Sequence, residues 1–344
     1  MRLIDMHCDT ISLLVQEDDV NLEKNPFGVN LRQNPFCVDL EKMKKAGSMA
    51  QFFACFINMK KFMEANDCSR LVGDDCLRMK SEVCTQAYKS ALHMIDRAQK
   101  EFAENADLIS LTTNYEELIR NAENGKMSAF LTVEEGGILD GNRNRLDHLY
   151  EKGVRLMTLL WNGENGIGYP NSRDAQIMNN GLKKFGFETV ERMNELGMIV
   201  DVSHLSDGGF WDVVKHSEKP VVASHSNARV LCPHPRNLTD EMIRALAEKG
   251  GIAGLNLYPY FLNESGKAGI DDMVRHIEHM YYVGGEEFVA LGTDFDGFDD
   301  GELEFKNIGE MNGLYEALKK RKFNDSQIEK FWSGNALRVI REVL

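Results

Sequence analysis

Apolar runs of strand length alternate along the chain with longer stretches whose apolar positions repeat at the helical period. Strands that alternate with helices in this way pair in parallel through right-handed crossovers. We therefore predict an α/β fold, a (β/α)8 barrel of the TIM type, closed by a C-terminal helical tail over 325–344. The strand candidates, one of them surplus to an eight-stranded barrel, are 3–6, 50–58, 108–111, 129–133, 154–161, 198–202, 221–223, 252–257 and 288–291.

No dinucleotide-binding motif supports the main alternative fold, a doubly wound sheet. Such a sheet would place the pattern GxGxxG directly after its first strand. The nearest match, over 163–168, follows a later strand and has the wrong spacing. No linker, low-complexity tract or block of charge divides the chain, so we expect a single barrel domain over 1–344.

Composition narrows the classes of partner. Of the 344 residues, 43% are apolar and 27% are charged, which is ordinary for a globular protein with a sizeable core. The formal net charge of −14 repels phosphate backbones, so nucleic acid is a poor partner. No apolar run approaches the ~20 residues that span a bilayer, and the first residues carry no hydrophobic secretory signal. We therefore expect a cytoplasmic protein that binds neither nucleic acid nor a membrane.

Three of the nine histidines follow directly on strand candidates. His7, His204 and His225 stand at the carboxyl ends of the first, sixth and seventh runs. In a parallel barrel those ends share one rim, where active sites are built. Asp9 projects to the same side as His7 because strand side chains alternate. An imidazole and a carboxylate that converge from one strand end form half of a zinc site.

Carboxylates follow two further runs and enlarge the candidate site. Glu135 follows the fourth run and precedes Gly136 and Gly137, and Asp294 and Asp296 end the last run. Three imidazoles and two or three carboxylates exceed what one tetrahedral zinc ion with an open position needs. They suit two metal ions ~3.5–4 Å apart that share a carboxylate and a hydroxide.

Short motifs whose order and spacing match one known family run through nearly the whole chain. They are Asp5-Met6-His7-Cys8-Asp9, Ala50-Gln51-Phe52-Phe53-Ala54, Glu135-Gly136-Gly137, Asp201-Val202-Ser203-His204, Ser224-His225-Ser226, Arg236-Asn237, Asp294-Phe295-Asp296-Gly297 and Gly334-Asn335-Ala336-Leu337-Arg338-Val339. Together they resemble the membrane (renal-type) dipeptidase family, the zinc peptidases of family M19. The resemblance implies a barrel of the metal-dependent hydrolase type that holds two zinc ions per chain and acts on dipeptides.

The resemblance also implies roles for single residues. The implied zinc ligands are His7 and Asp9 for one ion, and His204 and His225 for the other. Glu135 would bridge both ions; Glu134 is adjacent, but the family's glutamate directly precedes the glycines, so Glu135 is our choice. A hydroxide that bridges the metals would attack the peptide bond while Asp294 moves the proton. Arg236 would hold the C-terminal carboxylate of the substrate, since a planar guanidinium grips a carboxylate bidentately.

One position departs from the family pattern. Many members carry a histidine after the strand that reads Met157-Thr158-Leu159 here, and this chain has Trp161 instead. An indole N–H donates one hydrogen bond but takes no charge. Trp161 is therefore a candidate substrate contact, with a packing aromatic of the pocket wall as the alternative.

Two other functions stay open at this point. One is another two-metal barrel amidohydrolase, of the deaminase or lactonase type, although such enzymes usually begin with His-x-His where this chain has His7-x-Asp9. The other is a catalytically weak binding protein, and Trp161 is its only support. A homodimer is a further expectation from the resemblance.

Overall fold

The strands of the barrel come at the places where the apolar runs predict them. The computed structural model describes residues 1–20, 29–65 and 74–344. The strands in these residues are β1 (Leu3–Cys8), β2 (Ser48–Phe56), β3 (Ile109–Leu111), β4 (Met127–Glu134), β5 (Val154–Thr158), β6 (Ile199–Asp201), β7 (Val221–Ala223), β8 (Ile252–Leu255), β9 (Lys267–Ala268), β10 (Val289–Leu291) and β11 (Glu302–Leu303).

Helices fill the intervals between the strands. They are α1 (Thr10–Val20), α2 (Leu40–Ala46), α3 (Met59–Ala65), α4 (Asp74–Glu104), α5 (Tyr115–Glu123), α6 (Arg143–Glu151), α7 (Ala175–Met178), α8 (Lys184–Leu196), α9 (Asp207–His216), α10 (Asp240–Glu248), α11 (Pro259–Leu262), α12 (Ile270–Gly284), α13 (Asn312–Lys320), α14 (Asp325–Glu329) and α15 (Asn335–Val343). A π-turn over Lys330–Gly334 joins the last two, so the expected helical tail is present. No helix among the described residues has both the length and the apolar character needed to cross a membrane.

Eight parallel strands close into a ring. The order runs β1, β2, β4, β5, β6, β7, β8 and β10, and β10 pairs with β1 to complete it. β3 pairs only with the first residues of β4, ahead of the point where β4 begins to pair with β5. The predicted (β/α)8 barrel is confirmed, and the surplus run is 108–111.

The barrel interior is packed with apolar side chains and is covered at its amino end. Phe52 of β2 and Phe130 of β4 stack there with their ring centroids 4.6 Å apart. One side chain from each barrel strand joins the same buried cluster: Ile4, Phe52, Phe130, Leu156, Ile199, Val222, Ile252 and Ala290. The apolar face of α15 packs on this cluster, and its Arg338 donates a hydrogen bond to the carbonyl of Gly250, just ahead of β8. Since the amino end is covered, the carboxyl ends of the strands are left to form the site.

Candidate metal centre

Imidazole and carboxylate side chains from the ends of five strands converge at the carboxyl end of the barrel. The strands are short, and the site residues lie at or just after the carboxyl end of each strand. The converging residues are His7 and Asp9 from β1, Glu134 from β4, His204 after β6, His225 after β7 and Asp294 after β10. All of them are buried apart from Asp294, whose side chain is 15% exposed. Except for Glu134, this is the set of rim residues expected from the sequence.

The carboxylate of Glu134 lies between three imidazoles. Its Oε1 is 3.0 Å from Nε2 of His204 and 3.6 Å from Nε2 of His225. Its Oε2 is 3.6 Å from Nε2 of His7. The Nε2 atoms of His204 and His225 are 3.0 Å apart, so both ring nitrogens and one carboxylate oxygen surround the same small volume.

A second group of donors lies on the other side of the Glu134 carboxylate. Nε2 of His7 is 3.3 Å from Oδ2 of Asp9 and 3.9 Å from Oδ1 of Asp294. The rings of His7 and His225 stack with their centroids 3.9 Å apart, which brings the two groups into contact. Imidazole nitrogens and carboxylate oxygens are common ligands of zinc in proteins.

Burial sets the charge of these groups. Burial alone would raise the pKa of Glu134, but the imidazoles of His7 and His204 lower it below the usual range. Burial lowers the pKa of His204 to about 4 and holds the pKa of His225 well below its usual value. At neutral pH the metal-free centre therefore combines an ionised glutamate with neutral imidazoles at His204 and His225, the protonation states that bind a divalent cation. Burial opposes a charge on His7, but Glu134 and Asp9 outweigh it and raise its pKa well above the usual value, so a bound cation would replace a proton there.

Several buried polar atoms at the centre have no hydrogen-bond partner among the described residues. They are both ring nitrogens of His7 and Oδ1 of Asp9. An uncompensated buried polar atom costs free energy, and a divalent cation would satisfy the orphaned Nε2 and carboxylate oxygen together. The residues present therefore fit a metal centre.

A second layer of polar side chains orients two of the imidazoles. Nδ1 of His225 is 2.7 Å from Oγ of Ser224, which is in turn 2.6 Å from Oδ2 of the fully buried Asp201. Nδ1 of His204 is 3.1 Å from Oδ1 of Asn162. Partners of this kind turn Nε2 of a ligating histidine toward the metal. Sequence reasoning missed these roles, although Asp201 and Ser224 stand within the motifs that contain His204 and His225.

Glu135 was expected among the imidazoles, but the structure places the carboxylate of Glu134 there instead. β4 stays paired with β5 through Glu134. The chain turns at Glu135, whose φ is 118°, and this turn directs the Glu135 side chain away from the imidazoles. The turn is tight at Gly136, where a Cβ atom would lie 2.5 Å from the carbonyl oxygen of Leu159. Counting back from the glycines therefore selects the residue of the turn rather than the last residue of the strand.

Arg236 lies beneath the metal-ligand cluster, and most of the N–H donors of its guanidinium already make hydrogen bonds within the protein. Its Nη1 donates hydrogen bonds to the carbonyl of Ser203 and to Oγ of Ser226, and its Nη2 donates to the carbonyl of His225. Its Nε has no partner among the described residues. The guanidinium also lies over the ring of Phe261. It is thus a buried, rigidly held cation, and two of its five N–H donors, one on Nε and one on Nη2, make no hydrogen bond among the described residues.

Asp294 and Asp296 have different surroundings. Both adopt positive φ values, 60° and 69°. Oδ2 of Asp294 accepts a hydrogen bond from Asn256, and burial raises the pKa of Asp294 to about 7, although His7 opposes the shift. Asp296 instead accepts hydrogen bonds from Thr10 and from the backbone N–H of Cys37, so it ties a neighbouring loop to the rim. Only Asp294 faces the metal-ligand cluster.

Trp161 forms an aromatic wall at the mouth of the site. Its indole meets the ring of Phe56 edge-on with the centroids 4.8 Å apart, and its centroid is 6.4 Å from that of His204. Trp161 and Phe298 line both a cavity of about 440 Å³ beside Asp9 and one of about 210 Å³ beside His204. The side chain therefore packs and also faces the space where a substrate would lie.

A parallel barrel with imidazoles and carboxylates clustered at the carboxyl ends of its strands is the arrangement of a metal-dependent hydrolase. The chain belongs to the membrane dipeptidase family, peptidase family M19, whose family model matches residues 1–344. Membership gives the enzyme class, a metal-dependent dipeptidase, and the deaminase or lactonase alternative is not favoured.

The chain is similar to proteins and solved structures from several organisms. The chain is 34% identical over 251 residues to an uncharacterised Klebsiella pneumoniae protein from the pqqA 5′ region, covering 70% of this chain and 91% of that one. It is 31% identical over 305 residues to an uncharacterised dipeptidase of Schizosaccharomyces pombe, covering 87% and 70%. A metallopeptidase of Rhodobacter sphaeroides, solved with a phosphinate mimic of L-Ala-D-Ala, has the same fold with a TM-score of 0.84 at 22% identity, covering 100% and 99%.

Proposed function

We propose that the protein hydrolyses dipeptides at a centre of two divalent metal ions, with Glu134 as the shared carboxylate. The observation that carries the proposal is the position of Glu134, whose two oxygens face different imidazoles. His7 and Asp9 would hold one ion, and His204 and His225 the other. We propose zinc for both ions, because it accepts mixed nitrogen and oxygen ligands.

The metal centre and the protein groups divide the chemistry. When bound, divalent cations at this place polarise a peptide carbonyl and lower the pKa of bound water from ~15.7 towards ~7. Oδ1 of Asp294 accepts the proton of the attacking water and delivers it to the nitrogen of the leaving amine. Burial raises the pKa of Asp294 in the metal-free protein to about 7, and Asn256 holds the other carboxylate oxygen in place.

Arg236 orients the substrate by its C-terminal carboxylate. The guanidinium is buried and fixed by backbone carbonyls, so little side-chain entropy is lost when an anion docks against it. The N–H of Nε and the second N–H of Nη2 are the donors that remain for that anion. A carboxylate held here limits the substrate to one residue beyond the scissile bond, which supports a preference for dipeptides.

Metal content and substrate length together test this proposal. Protein stripped with a chelator and reloaded with zinc should hold close to two ions per chain and regain hydrolysis of a simple dipeptide such as Ala-Ala. Glu134→Gln should lose metal and turnover, whereas Glu151→Gln, an exposed position on α6, serves as the matched control. Active protein without bound metal would contradict the proposal.

The role of Arg236 has its own test. A dipeptide and its C-terminal amide differ only in the charge that Arg236 would recognise. We expect the wild type to prefer the free acid in kcat/KM by on the order of 10²-fold or more, because a site built for a polar group rejects an analogue that leaves it unpaired. Arg236→Met should erase the preference, and an unchanged preference would remove Arg236 from substrate binding.

The cytoplasmic location, the homodimer and the single domain over 1–344 stay predictions.

A further inference from the structure

We propose that Glu135 is a positioning residue that joins the turn after β4 to the loop after β5 and so sets the geometry of the metal centre. The inference rests on the proposed function, since it concerns the same centre. Glu135 is buried, with 2% of its surface exposed, yet it points away from the imidazoles. A buried carboxylate that holds no cation needs another reason to be there.

Hydrogen bonds account for both oxygens of Glu135. Oε1 accepts from the backbone N–H of Gly137 at 2.6 Å and from Nδ2 of Asn165 at 2.7 Å. Oε2 accepts from the backbone N–H of Trp161 at 3.2 Å. One donor lies in the turn of Glu135 itself and two lie in the loop that follows β5. The carboxylate therefore fastens two segments that are far apart in sequence.

The backbone of Glu135 shows that the side chain has a specific task. Its φ of 118° lies in the region that side-chain-bearing residues rarely adopt and that suits glycine. Gly136 and Gly137 follow directly, so the turn already contains residues free to take unusual conformations. A glutamate persists in such a backbone only when its surroundings determine it strongly, and three N–H donors provide that determination.

Each of the two fastened segments carries one side chain that contacts the imidazoles of the metal centre. Glu134 precedes Glu135 by one residue, so the direction of its carboxylate depends on the turn. Asn162 follows Trp161 by one residue, and its Oδ1 lies 3.1 Å from Nδ1 of His204. Glu135 thus holds the shared carboxylate and the support of His204 in register with each other. Without it, the two segments keep the pairing of β4 with β5 and the contact of Gly136 with Leu159 but lose the side-chain hydrogen bonds that join them.

Two substitutions separate this role from a contribution to folding. Glu135→Gly removes the carboxylate and also relieves the unfavourable φ, which offsets part of the stability lost when three N–H donors lose their acceptor. Glu135→Gln keeps the shape but places an amide N–H against at least one of the three donors. Lys322→Gly is the matched control, because Lys322 also has a positive φ, 69°, and lies in the turn after α13, outside the centre.

The experiment measures zinc affinity by competition with a chelator, the absorption spectrum of the cobalt-substituted protein, the thermal midpoint, and kcat and KM on Ala-Ala. For both Glu135 variants we expect zinc affinity to fall about 10–100-fold, the usual effect of losing an outer-layer partner of a metal site. The cobalt spectrum should change, and kcat should fall more than KM rises. Lys322→Gly should match the wild type in affinity, spectrum and kcat.

Two results would overturn the inference. If Glu135→Gly binds zinc as tightly as the wild type, with the same cobalt spectrum and kcat/KM, the carboxylate positions nothing. If affinity falls only in proportion to a lowered thermal midpoint in both variants, the residue acts through folding alone. Failure of the proposed function looks different: the wild type itself would then bind no zinc and cleave no dipeptide.

Discussion

Asp201 lies one layer beneath the imidazoles, and its replacement by asparagine tests whether the metal centre depends on which nitrogen of His225 carries the proton. The carboxylate accepts five hydrogen bonds. Oδ1 accepts from the backbone N–H groups of Ser203 and Ser224 and from Oγ of Ser203, and Oδ2 accepts from the hydroxyls of Thr158 and Ser224. Because a carboxylate only accepts, Ser224 donates to it, and Nδ1–H of His225 donates to Ser224 in turn. Nε2 is left bare toward the centre.

The orientation of the new amide follows from the same contacts. Backbone N–H groups cannot reverse, so the amide oxygen of Asp201→Asn must take the place of Oδ1. Its NH2 group then occupies the place of Oδ2 and donates to the hydroxyl of Ser224. We expect that hydroxyl to turn and donate to Nδ1 of His225 at 2.7 Å rather than to Oγ of Ser203 at 3.2 Å, which moves the imidazole proton to Nε2. A protonated Nε2 cannot bind a metal ion.

The expected magnitudes are set by these bonds. Hydrogen bonds to a charged group contribute about 1.5–3 kcal/mol and neutral ones about 0.5–1.5 kcal/mol. Neutralising an acceptor of five bonds should therefore lower the free energy of unfolding by on the order of 3–5 kcal/mol. Zinc affinity should fall about 10–100-fold, since His225 must first change its tautomer.

Chelator competition and chemical denaturation measure the two effects separately. Thr158→Val is the matched control, because it removes one partner of Asp201 but leaves Ser224 and His225 in place. We expect it to lower stability and keep zinc affinity. If Asp201→Asn loses stability but binds zinc as tightly as the wild type, the tautomer of His225 does not depend on this network and the reasoning is refuted.

Three further predictions concern protonation, the pocket wall and the metal. The pKa of Asp294 lies at about 7 in the folded protein, above its ordinary 3.8, so stability is lost as the pH rises between these values. Asp294→Asn should therefore stabilise the metal-free protein by on the order of 4 kcal/mol at pH 8, with the gain vanishing below pH ~4 in denaturation series, and it should abolish turnover; an equal gain at every pH would contradict this. Trp161→Ala should open the two cavities into each other and reduce discrimination between small and bulky dipeptides by at least ~10-fold in kcat/KM, whereas an unchanged ranking would leave Trp161 a packing residue. Removing metal with a chelator should lower the thermal midpoint, and zinc should restore it, because a ligand that binds only the folded state stabilises it; no shift in either direction would contradict tight binding.

The barrel and most of the rim could be predicted from the pattern of apolar runs. The carboxyl ends of parallel strands share one edge whatever the loops do, so His7, His204 and His225 had to meet once the strands were placed. The surplus strand was also expected, although its identity depends on pairing along β4. In both cases the prediction follows from the local, periodic pattern of apolar residues along the chain.

The errors and omissions have a different physical origin. Choosing between Glu134 and Glu135 requires knowing where the strand ends and that one residue adopts a φ of 118°, and neither is visible in the period of apolar residues. The support of His225 by Ser224 and Asp201 depends on hydrogen-bond distances across two strands. The buried state of Arg236 depends on carbonyls from separate loops. Contacts of this kind exist only after the chain has folded.

The central feature of the proposed site is a pair of cations bound on opposite sides of one glutamate. Anomalous scattering from a crystal of zinc-loaded protein tests this feature most directly. We predict two zinc peaks, one within bonding distance of His7 and Asp9 and one within bonding distance of His204 and His225, with an oxygen of Glu134 on each. A single peak, or a peak bonded to Glu135 with Glu134 free, would contradict the account.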